Sequence, residues 1–410
     1  MREKIVAKNT AYQLLARLAT SGAGFGVAIF IANHFGAGVF GDFSKVTSFV
    51  ALAFIFLDFG LNASFLKTKD SKSLFSSLLF LRIGLALGFI LSLNLFALFL
   101  AGQNINLGIT NHLLPGVLIF TLTLPFHGIY LTALAGFQKN LRYRYTLILS
   151  VIASLILASM VGLTLLRSGR IEGIYWAYVF YWGVLGVGGL LLNRNELKSL
   201  LPKIKIARSI FTSSIPLGIV LLLNVIYFRS DILILGQFRE SSEVGYYAYA
   251  YKFFDFALTI PLFIANALFP YLLKEKAQEV GQRSTIRKYV KIFLSFAILF
   301  SLLGFTLAPL ISFFSPDFSE SLHLFRVLIL SLPIFFLTSL LQWVAVARNY
   351  QGSLALIYGL TLVLNIVLNI IFIPIVGALG AALTTVFCEG VILLFLAFKM
   401  QFLEIMRKNV

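Results

Sequence analysis

The chain has 410 residues, of which 59% are hydrophobic and only 12% are charged, and its formal net charge is +17. Soluble domains are about 25% charged, so this composition excludes a string of ordinary soluble domains. Apolar runs of about 20 residues recur from end to end, each long enough to cross a hydrocarbon core about 30 Å thick. The period-2 alternation of outer-membrane barrels is absent. We therefore expect an all-α integral membrane protein.

Twelve transmembrane helices are predicted from these apolar runs. Only Pro374 and Gly377 separate the last two of them. Arg2, Lys4 and Lys8 precede the first run without a small-residue cleavage site after it, so we expect a retained helix and no signal peptide. The predicted spans are 10–32, 43–63, 76–100, 113–134, 146–166, 173–192, 209–235, 244–270, 289–312, 322–346, 353–375 and 376–398.

Positive charge alternates between the two sides of this arrangement. Of the 33 Lys and Arg residues, 24 fall in alternate gaps between spans, and only Arg167, Arg170 and Arg239 fall in the others. Cytoplasmic loops are rich in Lys and Arg, so both termini are expected in the cytoplasm. The basic loops would also attract anionic membrane lipids. No soluble domain is present to bind nucleic acid.

Two pairs of segments suggest a duplicated six-helix unit. The segment Val39-Phe-Gly-Asp-Phe-Ser-Lys45 resembles Val244-Gly-Tyr-Tyr-Ala-Tyr-Ala-Tyr-Lys252, and Gly173 is matched by Gly380. Each pair is separated by about 205 residues along the chain, and a fixed offset is the mark of a repeat. Six is even, so we expect an N-lobe at 1–203 and a C-lobe at 204–410, related by a pseudo-twofold axis along the membrane normal. Rocking of the lobes around a central cleft would give alternating access.

The sequence weighs against an enzyme. Segments outside the predicted spans are short, so none of them holds a catalytic domain, and no phosphate-binding G-x-x-x-x-G-K-[ST] loop occurs. Cys388 is the only cysteine, which excludes an internal disulfide. No His-rich or carboxylate cluster suggests a metal site.

Six cations lie inside the predicted spans, where an ionisable residue is costly and points to function. Two are close to a span end, so Arg82 is interpreted mainly as reaching back to the interface, and Arg326 stays open between that interpretation and a functional one. Lys45 has Asp42 one turn away and Lys252 has Asp255, so each is a candidate for a local ion pair. The remaining two are Arg17 and Arg229.

The unpaired cations predict an anionic substrate. Arg17 and Arg229 have no carboxylate on their own helix face, and guanidinium presents a planar fork of donors that suits phosphate oxygens. Spans one, two, seven and eight would be equivalent in pairs under the repeat. The predicted substrate-binding residues of a cationic cleft are therefore Arg17, Lys45, Arg229 and Lys252.

Carboxylates in the spans are candidates for ion coupling. We name Asp58, Asp255 and Glu389, and Glu389 is the foremost because it lies deep in span twelve. No cofactor is expected beyond a coupling proton or sodium ion. The tyrosines and tryptophans of spans six and eight are interpreted first as interfacial aromatic belts, with sugar stacking as the alternative.

Several stretches resemble the polysaccharide (O-antigen type) flippases of the multidrug/oligosaccharidyl-lipid/polysaccharide exporter superfamily. The resemblance covers nearly the whole chain and is carried by loose motifs: Phe35-Gly-Ala-Gly-Val-Phe-Gly-Asp-Phe-Ser44, Asp58-Phe-Gly-Leu-Asn62, Pro216-Leu-Gly218, Asp231-Ile-Leu-Ile-Leu-Gly236 and Val244–Lys252. It implies a V-shaped pair of lobes around a cationic cavity. It also implies that the chain moves an undecaprenyl-diphosphate-linked oligosaccharide from the cytoplasmic to the outer leaflet of a bacterial inner membrane. Polysaccharide polymerases and glycosyltransferases are the partners that this role implies.

Three other functions were weighed. An ion-coupled drug/cation antiporter of the same superfamily would need an acidic cleft, and here cations outnumber acids in the relevant spans. A sugar polymerase or glycosyltransferase would need a large outer loop. A structural scaffold leaves the cations within the membrane unexplained.

Overall fold

The fold is described here from a computed structural model. Its backbone is described for residues 2–69, 71–102, 110–167, 169–197, 199, 201–276, 282–347 and 350–408, and side chains for the same residues except 2–7, 165, 260–276, 282–288, 347, 351 and 400–408.

The described chain is helical throughout, and none of its residues lies in a strand. Three short 3₁₀ helices lie at Asn111–Leu113, Arg194–Glu196 and Pro316–Phe318. The α-helices are α1 Arg2–Asp58, α2 Leu61–Lys67, α3 Leu74–Gly102, α4 Leu114–Thr121, α5 Thr123–Lys139, α6 Tyr143–Leu166, α7 Ile171–Leu192, α8 Ile204–Phe238, α9 Ser241–Lys276, α10 Gln282–Leu307, α11 Leu310–Phe314, α12 Ser321–Leu330, α13 Leu332–Ala347, α14 Gln351–Val376 and α15 Ala378–Lys408.

Nine helical segments within the described residues are long and apolar enough to span a membrane, and there are ten if α12 and α13, bent by 46°, form one span. An all-helical multi-pass membrane protein is thereby confirmed. The predicted span 244–270 lies on α9, but its side chains from residue 260 onward fall outside the described residues. The two closely spaced final spans are separate helices, because Gly377 with φ 61° ends α14.

A glycine divides the long first helix. Gly36 has φ 77° and ψ 177° inside α1, a conformation that glycine adopts without steric cost. The predicted spans 10–32 and 43–63 lie on either side of this residue. A single 60-residue apolar segment, Lys8–Lys67, therefore contains both of them.

Two compact units are defined by the Cα positions. Unit 1 comprises Met1–Phe35 with Asp42–Val225, and unit 2 comprises Gly36–Gly41 with Ile226–Val410. The division falls inside α8, so the first part of this helix belongs to unit 1 and the rest to unit 2. The predicted lobe limits, 1–203 and 204–410, stay a prediction.

Unit 1 has a core cluster around the turn between α1 and α2. Phe59 and Gly60 form this turn with positive φ values of 35° and 69°. Phe59 stacks on Phe211 of α8, with ring centroids 5.8 Å apart. A Cβ atom on Gly60 would lie 2.9 Å from the side chain of Leu217, which leaves no room for a larger residue. Two segments that carry the family resemblance, Asp58–Asn62 and Pro216–Gly218, therefore pack against each other.

The structure corrects the interpretation of Arg82 as an interfacial side chain. Arg82 is fully buried in unit 1, with 0% of its surface exposed. Its guanidinium donates to the Leu57 carbonyl oxygen at 2.9 Å, to Asn62 Oδ1 at 2.7 Å and to Thr132 Oγ1 at 3.3 Å. Arg82 thus fixes the turn at the end of α1, because it satisfies a terminal carbonyl that the helix leaves without a partner. Arg326, which stayed open, lies in unit 2 with its guanidinium carbon 5.0 Å from the centre of the Phe305 ring.

Within unit 2, the segment 36–41 and the start of α9 are in close backbone contact. A Cβ atom on Gly41 would overlap the carbonyl oxygen of Ser241, and one on Gly245 would overlap that of Ala37. Only glycine fits at these two positions, because the obstructing atoms are main-chain atoms.

Candidate functional site

Two of the four predicted cleft cations lie in unit 1, and their surroundings differ. Lys45 is buried, and its Nζ lies 2.9 Å from Asp42 Oδ1, which confirms the local ion pair. The other oxygen of Asp42 lies 3.0 Å from His112 Nε2. Arg17 is exposed on α1, and its guanidinium makes no hydrogen bond or ion pair with any described residue. Within the described residues, the charge of Arg17 is therefore uncompensated, whereas the charge of Lys45 is balanced.

The other two cations lie in unit 2 and share one carboxylate. Arg229 of α8 and Lys252 of α9 both interact electrostatically with Asp255, and the effect of Arg229 is the larger. The expected direct pair between Lys252 and Asp255 is not formed within the described part of the chain, and Arg229 likewise has no ion pair there. Arg229 also interacts electrostatically with Asp231, so two carboxylates lie near these two cations, although none of the four groups is joined to another by an ion pair within the described residues.

Asp231 is engaged by a different partner. It is 1% exposed, its Oδ2 accepts a hydrogen bond from the Tyr247 hydroxyl, and its Oδ1 accepts one from the backbone N–H of Ile232 at 2.8 Å. Side chains two residues apart on a helix point in different directions, so Asp231 forms no direct ion pair with Arg229, although the two groups interact electrostatically. The carboxylate of Asp231 is therefore paired with the hydroxyl of Tyr247.

Glu389 lies among neutral groups. It is 4% exposed, and its Oε2 lies 3.4 Å from the Tyr227 hydroxyl, which is also 3.4 Å from the carbonyl oxygen of Thr385. The groups that can donate to the carboxylate are thus the phenol of Tyr227 and the hydroxyl of Thr338, and no cation pairs with Glu389 among the described residues. A buried carboxylate without a counterion is costly as an anion, and a bound proton or cation removes that cost.

An asparagine pair on α14 adds oxygen atoms to unit 2. Asn365 Oδ1 accepts hydrogen bonds from Ser230 of α8 and from Asn369, both at 3.0 Å. Asn369 is completely buried, and its own Oδ1 has no hydrogen-bond partner within the described part of the chain. The hydroxyl of Tyr251 is also buried and has no hydrogen-bond partner within the described part of the chain. Buried oxygens without donors are rare, so they indicate a place that a cation or water would fill.

Asp58 differs from Glu389, and resembles Asp255, in having a cation nearby. It ends α1 and interacts electrostatically with the buried Arg82, which also holds the following turn. Asp58 is therefore next to a permanent cation. Groups of three or more His, Cys, Asp and Glu side chains suited to a metal ion do not occur in the described ranges.

Sequence reasoning missed three residues of these sites. Asp231 could have been identified from the sequence as a candidate site residue, since an ionisable residue within an apolar span is uncommon. Tyr227 and Tyr247 carried no signal, because tyrosines in spans are first interpreted as belt residues. Their roles depend on contacts with Glu389 and Asp231 that only the fold establishes.

Solved structures of transporters share this fold. The lipid II flippase MurJ, in an inward closed conformation, is 18% identical, with a TM-score of 0.78 over 95% of this chain and 87% of that chain. A multidrug resistance MATE family transporter in an inward-facing conformation is 12% identical, with a TM-score of 0.75 over 98% and 100%. A transporter of the MOP superfamily from Pyrococcus furiosus, which has a binding pocket of reversed polarity, is 12% identical, with a TM-score of 0.67 over 97% and 95%.

Family models agree with the fold. A model described as "MatE" matches residues 216–371. No curated protein sequence matches the chain. The family and the structural neighbours are transporters and flippases, not enzymes. The model described as "Polysaccharide biosynthesis protein" matches residues 6–275, which is more than half of the chain, and the protein therefore belongs to this polysaccharide biosynthesis family.

Proposed function

We propose that the protein moves an undecaprenyl-diphosphate-linked oligosaccharide, the repeat unit of a polysaccharide, from the cytoplasmic to the outer leaflet by alternating access. The observation that carries this proposal is that Arg229 and Lys252 of unit 2 both lie near Asp255 while neither forms an ion pair with a described residue. A diphosphate would supply acceptors for both cations, and guanidinium binds phosphate oxygens with a fork of donors. Arg17 of unit 1 would serve in the same way, and Lys45 would assist although Asp42 balances it.

A fold of twelve spans in two six-helix lobes is part of the proposal. It is supported by α1, which contains two predicted spans around Gly36, and by α9, which adds one to the helices counted above. Both units also contain a similar helix break. Thr123 Oγ1 donates to the Phe120 carbonyl and Ser331 Oγ to that of Leu328, each two residues before a proline. Thr123 and Ser331 are as far apart along the chain as Leu74 and Gln282, where α3 and α10 begin.

Ion coupling is assigned first to Glu389. Its neighbours are neutral, so binding and release of a proton or a sodium ion would change the local charge outright. Asp58 and Asp255 are the other predicted carboxylates, and each has a cation nearby that stabilises its ionised form without a coupling ion. The oxygens of Asn369 and Tyr251 lie in the same unit and are available as ligands.

The membrane and the partners complete the proposal. Both termini would lie on the cytoplasmic side of a bacterial inner membrane, and the basic gaps between spans support this part of the proposal. The proposed partners would work on opposite sides of the membrane. They are glycosyltransferases, which build the lipid-linked repeat unit, and a polymerase, which consumes it.

Complementation of a strain without its own flippase tests the proposal. Arg229→Ala and Arg17→Ala are expected to impair glycan export while the protein still inserts in the membrane, and Arg167→Ala on an outer loop is the control. Export would be followed by surface glycan staining, and insertion by immunoblotting of membranes. Full complementation by both single variants and by the double variant would refute the cationic site.

A second candidate is an ion-coupled antiporter of drugs or other cations. The MatE match over residues 216–371 favours it. It predicts drug resistance in a sensitised strain that expresses the chain, with no effect on surface glycan. Arg229 and Lys252 oppose it, because these two cations near Asp255 would repel a cationic drug.

A further inference from the structure

Unit 1 contains a group of aromatic side chains from three helices, named here the aromatic cluster: Phe54 of α1, His127 of α5, and Tyr178, Tyr181 and Trp182 of α7. The His127 ring stands edge-on to Trp182 and to Phe54, with centroid distances of 4.3 and 4.5 Å. Trp182 lies 5.2 Å from Tyr181, and Tyr181 lies 6.3 Å from Tyr178. These five rings form one continuous patch.

The aromatic cluster does not belong to the lipid-facing side of α7. That side is marked by the most exposed apolar residues of the helix, Trp176, Phe180, Val187 and Leu191. Phe180 is 53% exposed, and a residue two positions away on an α-helix points about 200° around the axis. Tyr178 and Trp182 therefore point away from lipid. The belt interpretation fits Trp176 but not the aromatic cluster.

Polar atoms of the aromatic cluster lack hydrogen-bond partners among the residues that the structure describes. The hydroxyls of Tyr178 and Tyr181 and the indole N–H of Trp182 form no hydrogen bond with any described residue, although none of these atoms is sealed from the surface. His127 Nδ1 is buried and also has no partner in the described ranges. Tyrosine and tryptophan usually find a hydrogen-bond partner when they are buried. Their concentration here indicates a ligand that supplies both donors and acceptors.

We propose that the aromatic cluster is the saccharide subsite, which contacts the sugar rings of the lipid-linked substrate. This inference rests on the proposed function and adds the side chains that recognise the glycan. A sugar ring has apolar C–H faces, which pack on aromatic rings, and hydroxyls, which both donate and accept hydrogen bonds. The five side chains carry no carboxylate and no permanent cation, so they suit a neutral sugar and not the diphosphate.

Binding by the full chain in nanodiscs tests the subsite with two probes. One probe is undecaprenyl diphosphate, and the other is the pool of lipid-linked glycans extracted from the cells that produce the native polysaccharide. Wild type is expected to bind the glycan-bearing pool about tenfold more tightly than the bare lipid, as stacking and hydrogen bonds add to the diphosphate contacts. Trp182→Ala should abolish this preference and leave binding of the bare lipid unchanged.

Milder variants and a matched control separate recognition from folding. Trp182→Phe and the double variant Tyr178→Phe/Tyr181→Phe keep the rings but remove the N–H and hydroxyl groups, and each should reduce the preference severalfold. Trp176→Ala, on the lipid-facing side of the same helix, should keep it.

The possible results distinguish the two proposals. Equal binding of both probes by wild type, or a full preference in the Trp182→Ala and double variants, would overturn the saccharide subsite and leave the flippase proposal intact. Loss of bare-lipid binding in these variants would also overturn the subsite, since it would show general damage. If wild type binds neither probe, the proposed function fails and the subsite fails with it.

Discussion

The Glu243 carboxylate accepts a hydrogen bond from the backbone N–H of Ala378 at 2.7 Å, and this bond joins the start of α9 to the start of α15. Arg239, at the end of α8, donates to the carbonyl oxygens of Ile373 and Pro374 at 3.2 and 3.0 Å. These two side chains bond the free backbone groups at the end of α14 and the start of α15, and they leave no space beside Gly377, the glycine between the two helices.

Gly377→Ala is therefore expected to destabilise unit 2. Gly377 has φ 61°, and an added Cβ atom would overlap Glu243 Oε1. The strain should cost about 1–3 kcal/mol and lower the melting temperature in detergent. Gly390→Ala on α15 is the control, because a Cβ atom there meets nothing within 4 Å. Equal melting temperatures for the two variants would contradict this account of the turn.

Arg82→Met should lower the stability of unit 1 strongly. The substitution removes three hydrogen bonds and leaves the Leu57 carbonyl and Asn62 without donors in a buried place. Loss of a buried hydrogen-bonded charge costs about 3–5 kcal/mol. Arg82→Lys should retain only part of the stability that Arg82 provides, because an ammonium group lacks the planar fork of donors. Thermal unfolding of the purified protein measures the effect, with the exposed Arg142→Met as control, and a wild-type melting temperature in Arg82→Met would rule out this role.

Glu389→Gln should remove the dependence of transport on an ion gradient. Glutamine keeps the size of the side chain and its contact with Tyr227, but it binds neither a proton nor a sodium ion as a carboxylate does. Transport into liposomes would be compared with and without imposed proton and sodium gradients. Glu240→Gln, at an exposed position, should behave as wild type. Gradient dependence that survives in Glu389→Gln would assign coupling to another group.

Local patterns in the sequence were sufficient for the helices and for the pair between Lys45 and Asp42, which are one turn apart. They were insufficient for Arg82. Its depth near a span end suggested an interfacial side chain, whereas its partners lie 20 to 50 residues away along the chain. The same reason explains the missed pair of Asp231 and Tyr247, which belong to different helices. Periodicity places a residue on a helix but does not identify what meets it across the interior.

The close approach of Gly41 and Gly245 restricts which sequences are interchangeable. At each glycine, main-chain atoms of the opposite helix occupy the space that a side chain would need. A smaller residue on that opposite helix therefore cannot make room for a larger residue at the glycine position. A chimera that takes either segment from a relative must therefore bring glycine at the corresponding position, or the two backbones must separate. Recombination between homologous genes within this region is limited by the same condition.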